Sequence, residues 1–235
     1  MTKKPTPTQG VTRSLVVKLK NAGKRTTAQQ AWLSRQLNDP YVAAAQAQGY
    51  RSRAAFKLIE LDDKFSLLKP GSKVVDLGAA PGGWSQVAVK RGAGRIVGVD
   101  LLPIDPVKGA ELLLGDFNDP AMPKMLSDLL GGPADLVLSD MAPNTTGHTA
   151  TDHLRIIALA ELALDFAIKI LAPGGSFVAK VFQGGSEQNM LVPMKLCFAT
   201  VRHAKPPASR KGSSELYVVA TGFRGDQRVR DPQQG

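Results

Sequence analysis

Four aspartates stand at or just beyond the end of an apolar run. Asp76 closes Val74-Val75, Asp100 closes Arg95-Ile96-Val97-Gly98-Val99, Asp116 follows Leu112-Leu113-Leu114-Gly115, and Asp140 follows Leu136-Val137-Leu138-Ser139. If these runs are strands of one parallel sheet, ligands bind outside its carboxyl edge, and acids at strand ends are the groups that meet them. A carboxylate accepts two hydrogen bonds from a vicinal diol, which suits Asp100, after the second strand, to the hydroxyls of a ribose. Asp116 is then positioned for an adenine amino group, although a loop aspartate is equally suited to a turn or a helix cap, and both readings stand.

The first of these acids opens the turn Asp76-Leu77-Gly78-Ala79-Ala80-Pro81-Gly82-Gly83-Trp84-Ser85-Gln86. Glycines at 78, 82 and 83 remove the Cβ atoms that would keep a ligand away from the backbone. The spacing is not that of a dinucleotide fingerprint, and no Lys-Ser/Thr pair follows for a triphosphate. A bulky nucleoside-bearing ligand without a pyrophosphate fits better, and S-adenosylmethionine is one. Trp84 either packs on that ligand or fills the space between helix and sheet.

Lys180 interrupts the apolar run Phe177-Val178-Ala179-Lys180-Val181-Phe182. A lysine there costs stability unless its ammonium is paired or emerges at a cleft. The simpler alternative is a lysine that snorkels out of the strand end.

These residues need a frame. Strand-like runs fall at 73–77, 95–99, 111–114, 135–139, 175–182, 199–204 and 214–221, and helical patterns at 84–91, 119–130, 152–171 and 187–198. Runs of Val, Ile and Leu without polar alternation indicate strands covered on both faces. The expected fold is α/β: a doubly wound, mostly parallel seven-stranded sheet with helices on both faces. Before it, helices begin near Ala28, Asp39-Pro40 supplies a cap and an N1 proline, and Ser52 is expected to cap a helix through Leu61. Expected boundaries are a basic tail at 1–27, one catalytic domain at 28–222 and a tail at 223–235.

The chain has 235 residues and a formal charge of +10, with no Asp or Glu before Asp39. That asymmetry points to a polyanion, most simply nucleic acid, against a tail that only aids solubility. Cys197 is alone, which suits a reducing compartment and implies a cytoplasmic address. No apolar run reaches the length of a membrane span. The basic, acid-free stretch 11–26 leaves a mitochondrial address open. His148, His153 and His203 form no ligand cluster, so no metal is expected.

Taken in order, several stretches resemble the FtsJ-type (RlmE-type) ribosomal RNA 2'-O-ribose methyltransferases. They are Arg51-Ser52-Arg53-Ala54-Ala55-Phe56-Lys57-Leu58, the Asp76 to Gln86 turn, Asp100-Leu101-Leu102-Pro103-Ile104-Asp105-Pro106, Ser139-Asp140-Met141-Ala142-Pro143-Asn144, Ala172 through Gly184, and Ser214-Glu215-Leu216-Tyr217. The resemblance implies a catalytic tetrad of Lys57, Asp140, Lys180 and Glu215, with Lys180 as proton acceptor. It implies cofactor contacts at Gly82, Trp84, Asp100, Asp116 and Asp140, S-adenosylmethionine as cofactor, and a uridine of large-subunit ribosomal RNA as substrate. No obligate protein partner and no membrane partner follow from it. The chain departs from the family pattern in its basic N-terminal tail, the loop 184–190 and the segment 205–213.

Methylating a ribose hydroxyl is an in-line displacement in which the oxygen loses its proton as the new bond forms, so orientation and a base are both required. On this reading Lys180 is the base, its amine kept neutral by partial burial, Lys57 and the nearby sulfonium, while Asp140 orients it. Glu215 holds Lys57 or the ribose in register. A Lys180 that stays charged would instead orient the hydroxyl and stabilise developing oxyanion charge. On the substrate side Arg51, Arg53, Arg202, Lys205, Arg210 and Lys211 are expected to form a phosphate track, and the loop 145–151 either closes over substrate or is an ordinary surface loop. Competing functions are the same chemistry on transfer RNA or mitochondrial ribosomal RNA, a non-catalytic ribosome-assembly factor, and a nicotinamide-dependent oxidoreductase.

Overall fold

The structure, a computed structural model, describes residues 26–143, 146–183, 188–210 and 212–228. Most of the expected basic tail, Asn144, Thr145, the start of the 184–190 loop, Lys211 and the end of the expected C-terminal tail lie outside the described residues.

Three helices come first: α1 (Thr27–Leu37), α2 (Pro40–Ala47) and α3 (Ala54–Phe65). Asp39 caps α2 as expected, accepting the Tyr41 N–H, with Pro40 at the first helical position. Ser52 does not cap α3. Its Oγ is buried without a hydrogen-bond partner and lies against Gly83, where an added Cβ would be 2.8 Å from it. Close packing of the α3 entrance on the glycine turn wins over capping there.

The sheet then alternates with helices: β1 (Lys73–Leu77), α4 (Gly83–Lys90), β2 (Arg95–Asp100), β3 (Glu111–Leu114), α5 (Met122–Leu130), β4 (Ala134–Ser139), α6 (Thr149–Ile170), β5 (Leu171–Phe182), α7 (Gln188–Cys197), β6 (Phe198–Ala204) and β7 (Glu215–Phe223). Its order is β3-β2-β1-β4-β5-β7-β6, parallel throughout except for β7, which is antiparallel to both neighbours. All seven expected strands are present, and the sheet is doubly wound.

Period-two alternation explains why both faces are apolar. Val75, Leu77, Val97, Val99, Val137, Phe177 and Ala179 join a core with α5, α6 and α7, whereas Val74, Ile96, Leu136, Leu138 and Val178 join one with α3 and α4. Burying a single Leu58 or Leu61 of α3 in the second core contributes about 2 kcal/mol. Beyond the expected boundary at Gly222, Phe223 is buried and Arg228 pairs with Asp165 of α6 at 2.5 Å.

Chain order reverses between β1 and β4, so the crevice for a ligand opens outside their carboxyl ends. Gly78 is at that point with φ +79°, and a Cβ on it would stand 2.7 Å from the Met141 nitrogen. Glycine is required here because the segments leaving β1 and β4 pass backbone against backbone.

Candidate active site

Three of the four strand-end aspartates reach the crevice and one does not. Asp100 and Asp116 line a cavity of about 80 Å3 together with Gly78, Leu101, Asn118 and Met141. Asp140 lines a narrow recess on the other side of Gly78, with Ala80, Pro81 and Trp84. Asp76 turns towards α4 instead, where it accepts the Ser85 hydroxyl at 2.7 Å and is only 1% exposed. Its even-numbered place in β1 puts it on the α4 face of the sheet.

Burial pushes the Asp76 carboxyl up to about 7, against the Ser85 hydrogen bond and with help from the charges of Asp140 and Asp100. Between the ordinary value of 3.8 and about 7, the folded protein holds a proton that the unfolded chain has released. The stabilising contribution of this group is therefore lost as pH rises through that window. The stability of Asp76→Asn relative to wild type should rise by about 2 kcal/mol between about pH 5 and about pH 8 in denaturant unfolding. A constant difference would contradict the assignment.

Asp100 and Asp116 already hold their own loops. Asp100 accepts the Ala80 N–H on one oxygen and the Leu102 N–H on the other, both at 2.9 Å. Asp116 accepts the backbone and side-chain N–H groups of Asn118, which pull its carboxyl below the ordinary value. Each carboxylate keeps lone pairs for a ribose or an amino group, so Asp116 is a turn residue and a cavity wall at once. Trp84 is mainly core: it is 3% exposed, donates its indole N–H to the Ala54 carbonyl at 2.8 Å, and lies 5.7 Å from the Tyr217 ring, with one edge reaching the recess beside Asp140. Gly82 lines neither cavity; a Cβ there would stand 2.8 Å from Arg51 Nη1 and 2.9 Å from Val107.

The four residues of the expected tetrad come together from four elements. Lys57 on α3 donates to Glu215 Oε2 of β7 at 2.7 Å, and Lys180 on β5 donates to the Asp140 carbonyl at 2.5 Å and to Asp140 Oδ1 at 3.0 Å. Tyr217 joins the two pairs, a role the sequence reading did not assign. It accepts from Lys57 at 3.2 Å and donates to Asp140 Oδ1 at 2.8 Å. The signal was present, since Glu215 and Tyr217 are two apart on a strand and share a face, and Tyr217 stands opposite Lys180 in the β5–β7 register. Ser209 completes the chain by donating to Glu215 Oε1 at 2.7 Å.

Charge balance follows from this network. Burial opposes ionisation of Asp140, but Lys180, Lys57 and the hydrogen bonds from Tyr217 and Lys180 outweigh it and hold its carboxyl below the ordinary value. Burial and the neighbouring Asp140 and Glu215 charges push the Tyr217 hydroxyl well above its usual value, so it stays protonated and donating. Lys180 is only 8% exposed, and its amine is held by the carbonyl and carboxylate of Asp140, which lines the recess. Such an arrangement can hold a hydroxyl beside an amine whose direction is fixed by a carboxylate.

Comparison with known proteins decides the family at this point. A sequence model of the FtsJ-like methyltransferases matches residues 50–223. The chain belongs to the FtsJ-like methyltransferase family. It is 69% identical over 223 residues to a protein named ribosomal RNA large subunit methyltransferase E from Gluconobacter oxydans, covering 95% of this chain and 83% of the relative. It is 74% identical over 212 residues to the protein of the same name from Granulibacter bethesdensis, covering 90% and 92%. Among solved structures, a ribosomal RNA methyltransferase from Plasmodium falciparum superposes with a TM-score of 0.67 at 30% identity, over 75% of this chain and all of that one. The protein is thus a methyltransferase.

Two residues of the expected phosphate track are engaged with the protein itself. Arg53 pairs with Asp39, donates to the Ala208 carbonyl and lies over the Tyr41 ring, while Lys205 donates to the Ser213 carbonyl at 2.6 Å. These contacts, with Glu60 accepting the Ala208 N–H at 2.7 Å, tie the 205–213 segment onto α2 and α3. Arg210 is 43% exposed and lines a cleft of about 190 Å3 with Lys57, Ser213 and Glu215. Asp152 accepts the Thr146 and Gly147 N–H groups and so anchors the described part of the 145–151 loop to α6. Among the described residues no His, Cys, Asp and Glu group is arranged to hold a metal, and no helix is long and apolar enough to cross a membrane.

Proposed function

We propose that this protein transfers a methyl group from S-adenosylmethionine to the ribose 2'-hydroxyl of a uridine in large-subunit ribosomal RNA. The observation that carries this reading is the Lys180–Asp140 pair standing beside the Gly78 crevice and joined through Tyr217 to Lys57 and Glu215. The substrate is transferred from relatives whose name is ribosomal RNA large subunit methyltransferase E.

The lining fits such a donor, with Asp100 for the ribose diol, Asp116 for the adenine amino group, and Asp140 near the reacting centre. Gly82 and Trp84 support this pocket from behind. Bound there, the cofactor supplies a methyl group activated by a positive sulfur. The protein's own residues do the rest. Once its ammonium has released a proton to solvent, the neutral Lys180 amine takes the proton from the 2'-hydroxyl, Asp140 aims the amine, and Tyr217 holds the carboxylate in place. Lys57, fixed by Glu215, faces the sugar oxygens from the acceptor cleft and stabilises developing negative charge. The site of action on this reading is the cytoplasm, and the basic segment 1–27 engages the RNA.

Radiolabelled methyl transfer to isolated ribosomal subunits, naked ribosomal RNA and transfer RNA tests the proposal, with the label expected on a 2'-O-methyluridine of the large subunit. Label on transfer RNA alone, or none on any RNA, would overturn it. RNA affinity should fall steeply with added salt, and removing residues 1–27 should flatten that dependence; a salt-independent complex would exclude a phosphate-led interface.

A further inference from the structure

Arg51 is a basic residue expected on the RNA side, yet its guanidinium is spent on three main-chain carbonyls. Nη1 donates to Pro81 O at 3.0 Å and Asp105 O at 2.5 Å, and Nη2 donates to Pro106 O at 2.7 Å. One acceptor belongs to the glycine turn after β1, the other two to the loop after β2. Both segments border the cavities at the sheet edge: the turn contributes Ala80 and Pro81 to the recess beside Asp140, and the loop leaves β2 at Asp100 and begins with Leu101, both lining the larger cavity.

We infer that Arg51 is a positioning residue of the donor pocket, clamping the turn after β1 to the loop after β2 so that Asp100 is held ready for the donor's ribose.

The surroundings of Arg51 serve this clamp. Its own backbone is fixed on α4, because Gln86 accepts the Arg51 N–H at 2.9 Å while donating to the Gly49 carbonyl at 3.1 Å. Gly82, without a Cβ, leaves room for both the guanidinium and Val107. The loop after β2 contains Pro103 and Pro106, which lack N–H groups and so cannot knit it into the sheet by themselves. A planar fork that meets three acceptors on two segments is a task for arginine; a lysine ammonium has no such fixed geometry. Asp100 feels the result directly, since its two oxygens accept N–H groups from Ala80 of the turn and Leu102 of the loop.

This inference rests on the proposed use of S-adenosylmethionine, and the test separates the two. Wild type, Arg51→Ala and Arg51→Lys would be titrated calorimetrically with S-adenosylmethionine and with S-adenosylhomocysteine, without RNA. Steady-state kinetics and RNA binding at several salt concentrations would follow. Both variants should bind the donor on the order of tenfold more weakly, a difference of about 1.4 kcal/mol. The donor KM should rise in proportion, kcat at saturating donor should stay within about threefold, and the salt dependence of RNA binding should not change. Unchanged donor affinity in a folded Arg51→Lys protein would overturn the clamp. So would a loss confined to RNA affinity with a salt slope lowered by about one, which marks a phosphate contact. If wild type failed to bind S-adenosylmethionine, the functional proposal would fall first and the inference with it.

Discussion

Replacing Lys180 by methionine is expected to lower kcat about a thousandfold while leaving donor and RNA affinities within a few-fold of wild type. Methionine keeps the apolar stem inside β5 and removes only the amine, whose contacts are the carbonyl and carboxylate of Asp140. Lys180→Arg then separates the two chemical roles. Arginine cannot give up its proton near neutral pH but can still orient a hydroxyl and face an oxyanion. If Lys180 is the base, arginine should be as inactive as methionine in single-turnover methyl transfer. An arginine variant within about tenfold of wild type would assign Lys180 to orientation alone, and a methionine variant with near-normal turnover would remove it from catalysis.

Asp140→Ala should be the most damaging single change to stability within the site, at about 3 kcal/mol, together with loss of activity to background. Asp140 is the only carboxylate hydrogen-bonded to Lys180 among the described residues, and it also takes the Tyr217 hydroxyl. Truncation leaves an ammonium with a main-chain acceptor only and a buried phenol without its acceptor, and both groups keep their desolvation cost. The sign of the pH dependence follows from its lowered carboxyl value. The stability that Asp140 contributes is present above the ordinary carboxylate value of 3.8 and is lost as pH falls below it through the folded value. Urea unfolding at neutral pH and in acid, compared between wild type and Asp140→Ala, should therefore show a gap that narrows in acid. A gap independent of pH would mean that packing, and not charge, accounts for the loss.

Much of the donor side was legible because it is local. A strand that ends in an acid, followed by a glycine turn and a helix, places backbone and carboxylate within a few residues of one another, and Asp100, Asp116 and Asp140 all reach the crevice as expected. Asp76 shows the limit even there. It has the same residue type at nearly the same place, yet strand parity sends it to α4, and a displacement of one residue is invisible until strand ends are known.

The acceptor side was legible in its residue types through the family resemblance, but not in its wiring. The two-residue spacing puts Tyr217 on the face of Glu215, but its bridging of Lys57 and Asp140 depends on the β5–β7 register, which is set by pairing between segments far apart in the chain. The same holds for the arginines. Arg51 finds acceptors 30, 54 and 55 residues away, and Arg53 finds one 155 residues away. A long side chain with a charged end accepts whatever partner the packing brings within about 3 Å. Composition counted both as cations for a polyanion.

By itself, then, the sequence determined the doubly wound sheet, the glycine turn with its strand-end acids, and the lysine set into an apolar strand. Each of these rests on periodicity and backbone preference over a handful of neighbouring residues. Tertiary structure alone decided which acid is spent on α4, which tyrosine joins the two lysine–carboxylate pairs, and that Arg51 ties the turn after β1 to the loop after β2. Those outcomes depend on distances between remote segments, and such distances exist only once the chain has packed.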